Sequence, residues 1–207
     1  MNISLLAGFL IKTILWLLAC LAVWYPLGSI LAMPVGWLSS ALAQLLFPGW
    51  AEGVHQTGTT LALLTSLQVP PPPGVTVTGT ALLTLETEFL SYGYGLPLLA
   101  ALLLASWPRG MAWKMAVGTV ALMPFQAVSV LFAWLKQVAI QAGPAVAAQA
   151  DFSETSRNLI GLGYQFGSLV LPTLVPVVLW LILDRKLVST LVLEAYLEKA
   201  KLEEGGN

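Results

Sequence analysis

The feature that most constrains this chain is a set of long apolar runs with almost no charge. Residues 3–24, 115–135 and 159–183 each approach the roughly 20 apolar residues with which a helix crosses the hydrocarbon core of a bilayer. Residues 95–107 form a fourth, shorter run. Only 9% of the residues are charged, against about 25% in soluble domains, so much of the surface faces lipid. The sequence therefore predicts a mainly α membrane protein with about four transmembrane helices.

The first apolar run ends in residues that favour a membrane surface. Trp24 and Tyr25 suit the interface and Pro26 breaks helices, so we expect one transmembrane helix over residues 1–26. Residues 27–47 are almost as apolar, but they contain Pro34 and four polar residues: Ser29, Ser39, Ser40 and Gln44. Because polar side chains need partners in hydrocarbon, we expect a separate interfacial or re-entrant helix there. A full span is the alternative, and it would move the amino terminus to the other side.

Residues 48–92 have a different pattern, since no stretch among them is long and apolar enough to span. Residues 59–69 and 75–89 are rich in Thr, Val and Leu and partly alternate between apolar and polar side chains, as β-strands do. They flank four prolines at 70–73, which cannot lie inside a sheet ladder and so predict a stiff connection between strands. We expect a small β-hairpin lobe.

The basic residues predict the orientation. Arg109 and Lys114 occupy the loop at 107–114, and Arg185 and Lys186 follow the last apolar run. Because Lys and Arg concentrate in cytoplasmic loops, both groups are expected on the cytoplasmic side. The expected organisation is a three-helix bundle over 93–186 and a cytoplasmic tail over 187–207 that forms a short surface helix. The β lobe and an outer loop over 137–158 are then extracytoplasmic, and both termini are cytoplasmic.

Composition narrows the function classes. The formal net charge of −1 gives no basic face for nucleic acid, so nucleic acid is not an expected partner. Membrane lipid is the expected partner of the apolar runs. One cysteine and one histidine, Cys20 and His55, cannot form an intrachain disulfide or a zinc site. We therefore expect no metal and no cofactor.

Two pairs of residues could carry chemistry. Cys20, near the outer end of the first run, and His55, at the start of the lobe, could form a thiolate–imidazole pair at the membrane surface. The ordinary interpretation is that Cys20 packs as a small apolar residue and that His55 is solvated. Glu86 and Glu88 lie on one face of a strand and could act in acid–base chemistry, or they form its solvated face.

Other polar and aromatic residues are candidates for helix packing or partner binding. Lys12 lies near the middle of the first run, where it needs a partner or extends toward the interface. Gln126 and Gln165 can bridge helices, while Gly163 and Gly167 allow close helix approach. The remaining candidates are Tyr92, Tyr94, Lys136 and Tyr164, the first two as interfacial anchors. A small transport component is an alternative in which Lys12, Gln126 and Gln165 line one polar path.

Several stretches together resemble the exosortase H-associated membrane protein family. They are Leu46-Phe47-Pro48-Gly49, Tyr92-Gly93-Tyr94-Gly95-Leu96-Pro97-Leu98, Pro124-Phe125-Gln126, Trp134-Leu135-Lys136 and Leu162-Gly163-Tyr164-Gln165-Phe166-Gly167, with Pro172 and Pro176. The resemblance implies a bacterial inner-membrane protein encoded with an exosortase, a cysteine transpeptidase-like membrane enzyme that processes proteins with a carboxy-terminal sorting signal. The family has no assigned catalytic residues that could be carried over to this chain.

Exosortases are expected to use a Cys, an Arg and a His in that chain order, whereas His55 here precedes Arg109, Arg157 and Arg185. This difference weakens the enzymatic hypothesis. The resemblance therefore favours a non-catalytic accessory subunit that binds an exosortase or its substrate at the outer face of the membrane. The alternative from the enzyme class is a membrane cysteine hydrolase or transpeptidase that uses Cys20 and His55.

Overall fold

The described part of the chain is mainly helical, as expected, with one small sheet. The computed structural model describes residues 5–69, 81–185 and 189–190. Its helices, numbered in chain order, are α1 (Leu5–Leu46), α2 (Leu90–Gly93), α3 (Gly95–Ser106), α4 (Met111–Lys136), α5 (Pro144–Gln149), α6 (Glu154–Gln165) and α7 (Leu171–Leu183). A π-helical turn follows α4 at Gln137–Gln141, and another at Phe166–Val170 joins α6 to α7. The expected outer loop at 137–158 is thus largely helical.

Helix α1 is one continuous element of 42 residues with Pro26 and Pro34 inside it. The expected helix end at Pro26 is therefore wrong, and residues 27–46 are not a separate helix. Each proline removes only one backbone hydrogen bond. Packing against the sheet stabilises the second half, where Ala32, Val35 and Ala43 are buried. At about 1.5 Å per residue the helix is about 63 Å long, twice the thickness of a hydrocarbon core.

The sheet is an antiparallel meander in the order β1-β2-β3. Its strands are β1 (Ala51–Thr57), β2 (Thr60–Val69) and β3 (Ala81–Glu88). The expected antiparallel pairing of the second and third segments is confirmed, whereas β1 was not expected. A tight turn at Gly58, with φ of +61°, joins β1 to β2. The four prolines at 70–73 and the expected strand residues 75–80 lie outside the described residues.

One face of the sheet packs against α1 and α4. The side chains of Leu61, Leu63 and Leu85 on this inner face are fully buried. Trp134 of α4 inserts among them and its indole N–H donates a hydrogen bond to the Leu61 carbonyl at 3.3 Å. A Cβ at Gly36 of α1 would lie only 2.8 Å from Leu61 Cδ2, so the helix backbone approaches β2 closely. Helices and sheet therefore share one core.

Three helical segments in the described part of the chain are long and apolar enough to cross a membrane: Leu6–Leu46, Met111–Gln141 and Glu154–Leu183. The segment Leu90–Ser106 is apolar but shorter, and its main helix, α3, is about 18 Å long by its 12 residues. The structure thus supports a multi-pass membrane protein with three candidate spans and one shorter apolar helix.

The two ends of α4 contact different parts of the molecule. Its last turn contacts the sheet through Trp134, whereas Lys114 in its first turns lies 3.8 Å from Asp184 at the end of α7. With 26 residues, α4 separates these regions by about 39 Å. The sheet and the basic residues near Lys114 therefore occupy different ends of the bundle. Of the expected tail helix, Ser189 and Thr190 are helical, and 187–188 and 191–207 lie outside the described residues.

Candidate functional site: the outer face of the sheet

The face of the sheet turned away from the helices carries the polar residues of the lobe. Strand pairing places His55, Ala62 and Glu86 in one row across the three strands. The next row contains Thr57, Thr60 and Glu88. The expectation that Glu86 and Glu88 share one solvated face is confirmed, because both are exposed while Leu85 and Thr87 are buried.

A shallow cavity of about 400 Å³ lies on this outer face. It is lined by His55, Thr57, Thr60, Ala62, Leu64, Thr84 and Glu86. Ala62, the central residue, has only a methyl side chain, and His55 and Glu86 stand two strand spacings apart, with backbones about 9–10 Å from each other. The cavity thus combines the Glu86 carboxylate, the His55 imidazole and threonine hydroxyls with the apolar side chain of Ala62 at its centre. This arrangement suits the binding of a polar or cationic group from a partner.

Side-chain amides hold the sheet to the helices. Gln56 Nε2 donates to the Ser29 carbonyl of α1 at 2.6 Å, and Gln137 Nε2 donates to the Glu86 carbonyl at 2.8 Å. The position of the outer face relative to the bundle is therefore set by hydrogen bonds from two sides as well as by the buried core.

Gln149 of α5 holds a further part of the sheet. It pairs with the backbone of Gln68 through two hydrogen bonds of 2.9 Å, donating to its carbonyl and accepting from its N–H. The side-chain amide thus acts like a neighbouring strand where β2 extends past the end of β1. Gln149 is not among the predicted site residues, because a glutamine in a polar stretch carries no signal for a partner 81 residues away.

A second group of predicted residues meets where α4 and α6 approach each other below the sheet. Lys136 Nζ lies 3.9 Å from the centroid of the Tyr164 ring, a cation–π contact. Tyr92, which is buried, has its hydroxyl beside that of Tyr164. Gln126 Nε2 donates to the Gly93 carbonyl at 3.4 Å. The structure therefore gives four of the candidates contacts between elements.

Tyr94 and the paired glycines hold α6 and α7 in place. The Tyr94 hydroxyl donates to the Ser168 carbonyl at 3.4 Å. This carbonyl lacks an α-helical partner, because the residue four positions later is Pro172, which has no backbone N–H. A Cβ at Gly163 would overlap the Phe132 ring, and one at Gly167 would lie 3.1 Å from Ser129 Cα. The small side chains thus allow the close approach of α6 to α4 that their spacing predicts.

The residues of the transport hypothesis do not converge. Lys12 is exposed on α1 and Gln165 is exposed on α6, whereas Gln126 is buried against Gly93. Because a polar path requires these side chains to face one cavity, their separation removes the basis for the transport alternative.

Cys20 and His55 lie at different sites. Cys20 is partly buried in an apolar groove of about 470 Å³ between α1, α3 and α4, together with residues such as Trp16, Trp24 and Met115. His55 is exposed on the outer face, and the sheet itself stands between it and α1. A nucleophile and its base need hydrogen-bond contact, at about 2.6–3.2 Å, so this pair has no geometric support. Among the described residues, no group of three His, Cys, Asp or Glu side chains could hold a metal ion.

The fold and these surfaces define a multi-pass membrane protein that carries a small, firmly attached sheet with an open polar face. The sequence model of the exosortase H-associated membrane proteins matches residues 3–187, and the chain belongs to that family. No curated protein and no solved structure gives a significant match. The family description implies a membrane protein associated with exosortase H, in agreement with an accessory role.

Proposed function

We propose that this chain is a non-catalytic accessory subunit that binds an exosortase H-type enzyme through the outer face of its sheet. Family membership supports the partner. The observation that supports the surface is the open cavity over Ala62, on a sheet that is held on its other face by α1 and α4. Firm attachment favours binding, because a docking surface that is already ordered loses little conformational freedom when a partner arrives.

The proposed orientation places the sheet outside the bacterial inner membrane and both termini in the cytoplasm. Arg109, Lys114 and Arg185 lie at one end of the bundle and the sheet lies at the other. The cytoplasmic preference of basic residues supports this direction of insertion. Cysteine introduced at exposed Thr57 should react with a membrane-impermeant maleimide in intact spheroplasts, whereas cysteine at exposed Arg109 should react only after the membrane is opened. Both variants need Cys20→Ser as background, and the reverse labelling pattern would contradict the orientation.

Co-purification of the exosortase tests the function and its surface together. Tagged wild-type chain, co-expressed with its exosortase and solubilised in a mild detergent, should recover the enzyme. Ala62→Phe fills the centre of the cavity and should weaken binding, and so reduce the recovered enzyme, by about fivefold or more, because losing the fit of one anchor group commonly costs more than about 1 kcal/mol.

Ser66→Phe is the matched control. Ser66 lies on the same strand and the same exposed face, outside the cavity, so this variant should recover the enzyme as well as wild type does. If the exosortase is not recovered with the tagged wild-type chain, the accessory function is wrong. Recovery that is equal for wild type, Ala62→Phe and Ser66→Phe would overturn the docking surface alone.

A further inference from the structure

A second cavity, of about 640 Å³, lies at the other end of the bundle. It opens between the turn that joins α3 to α4 and the end of α7, and three cationic side chains and one carboxylate line it: Arg109, Lys114, Arg185 and Asp184. Pro108, Ile182 and Leu183 add apolar walls. The four charged groups sum to two positive charges, so the cavity attracts an anion.

Asp184 gives this cavity a second, more specific property. The residue is only 5% exposed, and its Oδ1 atom lies 3.8 Å from Lys114 Nζ. Its Oδ2 atom is buried and has no hydrogen-bond partner among the residues that the structure describes. A buried carboxylate oxygen without a donor is costly, so a ligand that supplies a donor here is stabilised relative to one that does not.

We propose that this cavity binds the headgroup of an anionic phospholipid whose headgroup carries a free hydroxyl, such as phosphatidylglycerol. The phosphodiester lies between Arg109 and Arg185, and a headgroup hydroxyl donates to the Asp184 carboxylate, which must rotate to turn its buried Oδ2 atom toward the cavity. A hydroxyl fits better than a lipid ammonium group, because Lys114 already places one positive charge beside this carboxylate. The apolar walls at the ends of α3 and α7 continue toward the acyl chains.

The location agrees with this ligand. The cavity lies where apolar helices end in basic residues, which is where lipid headgroups meet a membrane protein, and each basic residue near an anionic surface contributes about 1 kcal/mol. The site lies at the opposite end of α4 from the sheet. It therefore does not depend on the proposed docking of an exosortase.

Binding of defined lipids to the detergent-solubilised full chain, measured by native mass spectrometry, tests the proposal. Phosphatidylglycerol should bind about fivefold or more tightly than phosphatidylmethanol, which has the same phosphodiester charge but no headgroup hydroxyl. Glycerophosphoglycerol, the soluble phosphodiester with the same headgroup, should bind more weakly than phosphatidylglycerol because it lacks the acyl chains. Equal binding of the two lipids, or equally strong binding of the soluble compound, would overturn the assignment.

Variants separate the roles of the charged groups. The double variant Arg109→Gln with Arg185→Gln should weaken the binding of both lipids by about thirtyfold, because it removes two contributions of about 1 kcal/mol each. Arg157→Gln changes an exposed arginine outside this cavity and should leave the binding of both lipids unchanged. Asp184→Ala should abolish the preference for phosphatidylglycerol over phosphatidylmethanol. An unchanged lipid affinity in the double arginine variant would contradict the site. If Asp184→Ala does not fold, the comparison of the two lipids on the wild-type chain still tests the headgroup hydroxyl.

Discussion

Replacing Trp134 with Phe should loosen the sheet from the membrane helices. Trp134 is fully buried between α4 and β2, and its indole N–H donates to the Leu61 carbonyl at 3.3 Å. Losing this hydrogen bond costs about 1 kcal/mol net, and the void left by the smaller ring adds about 1–2 kcal/mol. At about 2–4 °C per kcal/mol for a chain of this size, the apparent melting temperature should fall by about 4–12 °C.

Trp113→Phe is the matched control for this prediction. Trp113 lies on the same helix but is 74% exposed, so the same substitution should change stability by about 0.5 kcal/mol or less. Melting of both variants and wild type in one detergent, followed by intrinsic fluorescence, gives the comparison. If Trp134→Phe melts within 2 °C of Trp113→Phe, the indole does not join sheet and helix as the contacts indicate, on the same scale of about 2–4 °C per kcal/mol.

Hydrogen exchange should show where the effect lies. Because Trp134 contacts β2, amides of β2 and β3 should exchange faster in Trp134→Phe, while amides of α7 should keep their wild-type rates. A uniform acceleration over the whole chain would mean that the variant destabilises the bundle itself. The local role assigned to Trp134 would then be wrong.

Two further predictions concern the contact between α4 and α6. Gly163→Ala should lower the melting temperature, because its Cβ would overlap the Phe132 ring and overpacking of about 1–3 kcal/mol exceeds the gain in helix propensity. A Cβ at Gly161 would lie 3.8 Å from Ile140, an ordinary contact, so Gly161→Ala should instead stabilise the same helix by up to about 1 kcal/mol. Opposite signs for the two variants in thermal melts are the result that supports the packing. Lys136→Met should cost about 0.5–2 kcal/mol by removing the cation–π contact with Tyr164, and Lys136→Arg should recover most of it; equal melting of the two variants would contradict that contact.

Apolar periodicity and alternation predicted much of this fold. The runs at 115–135 and 159–183 correspond to α4 and to the segment through α6 and α7, because a bilayer imposes a length that composition reveals. The alternation of Leu85, Glu86 and Thr87 correctly separated the buried face of β3 from its exposed face. Close approach at Gly163 and Gly167 also follows from spacing, since small residues four apart lie on one side of a helix.

The missed features depend on contacts that sequence does not display. Pro26 resembles a helix end, but tertiary packing of Ala32, Val35 and Ala43 against the sheet keeps α1 helical beyond it. Strand β1 contains no strong alternation, and the turn at Gly58, flanked by threonines, was the one local signal for its hairpin.

The candidate sites could be anticipated only in part. The outer-face carboxylates followed from alternation, whereas the cavity over Ala62 depends on the register of three strands. The separation of Cys20 from His55 is likewise a property of the assembled fold. One lies on a helix among apolar side chains and the other on the far side of a sheet.

The length of α1 couples the sheet to the thickness of the bilayer. The first half of α1 packs with the bundle, where the rings of Phe9 and Trp180 stack with their centroids 5.2 Å apart. Its second half packs with β2, so one helix connects both regions. In a thinner or thicker membrane the helix must tilt or shift along the membrane normal, and the sheet moves with it. A change in the tilt of α1 is thus passed directly to the sheet that is packed on it.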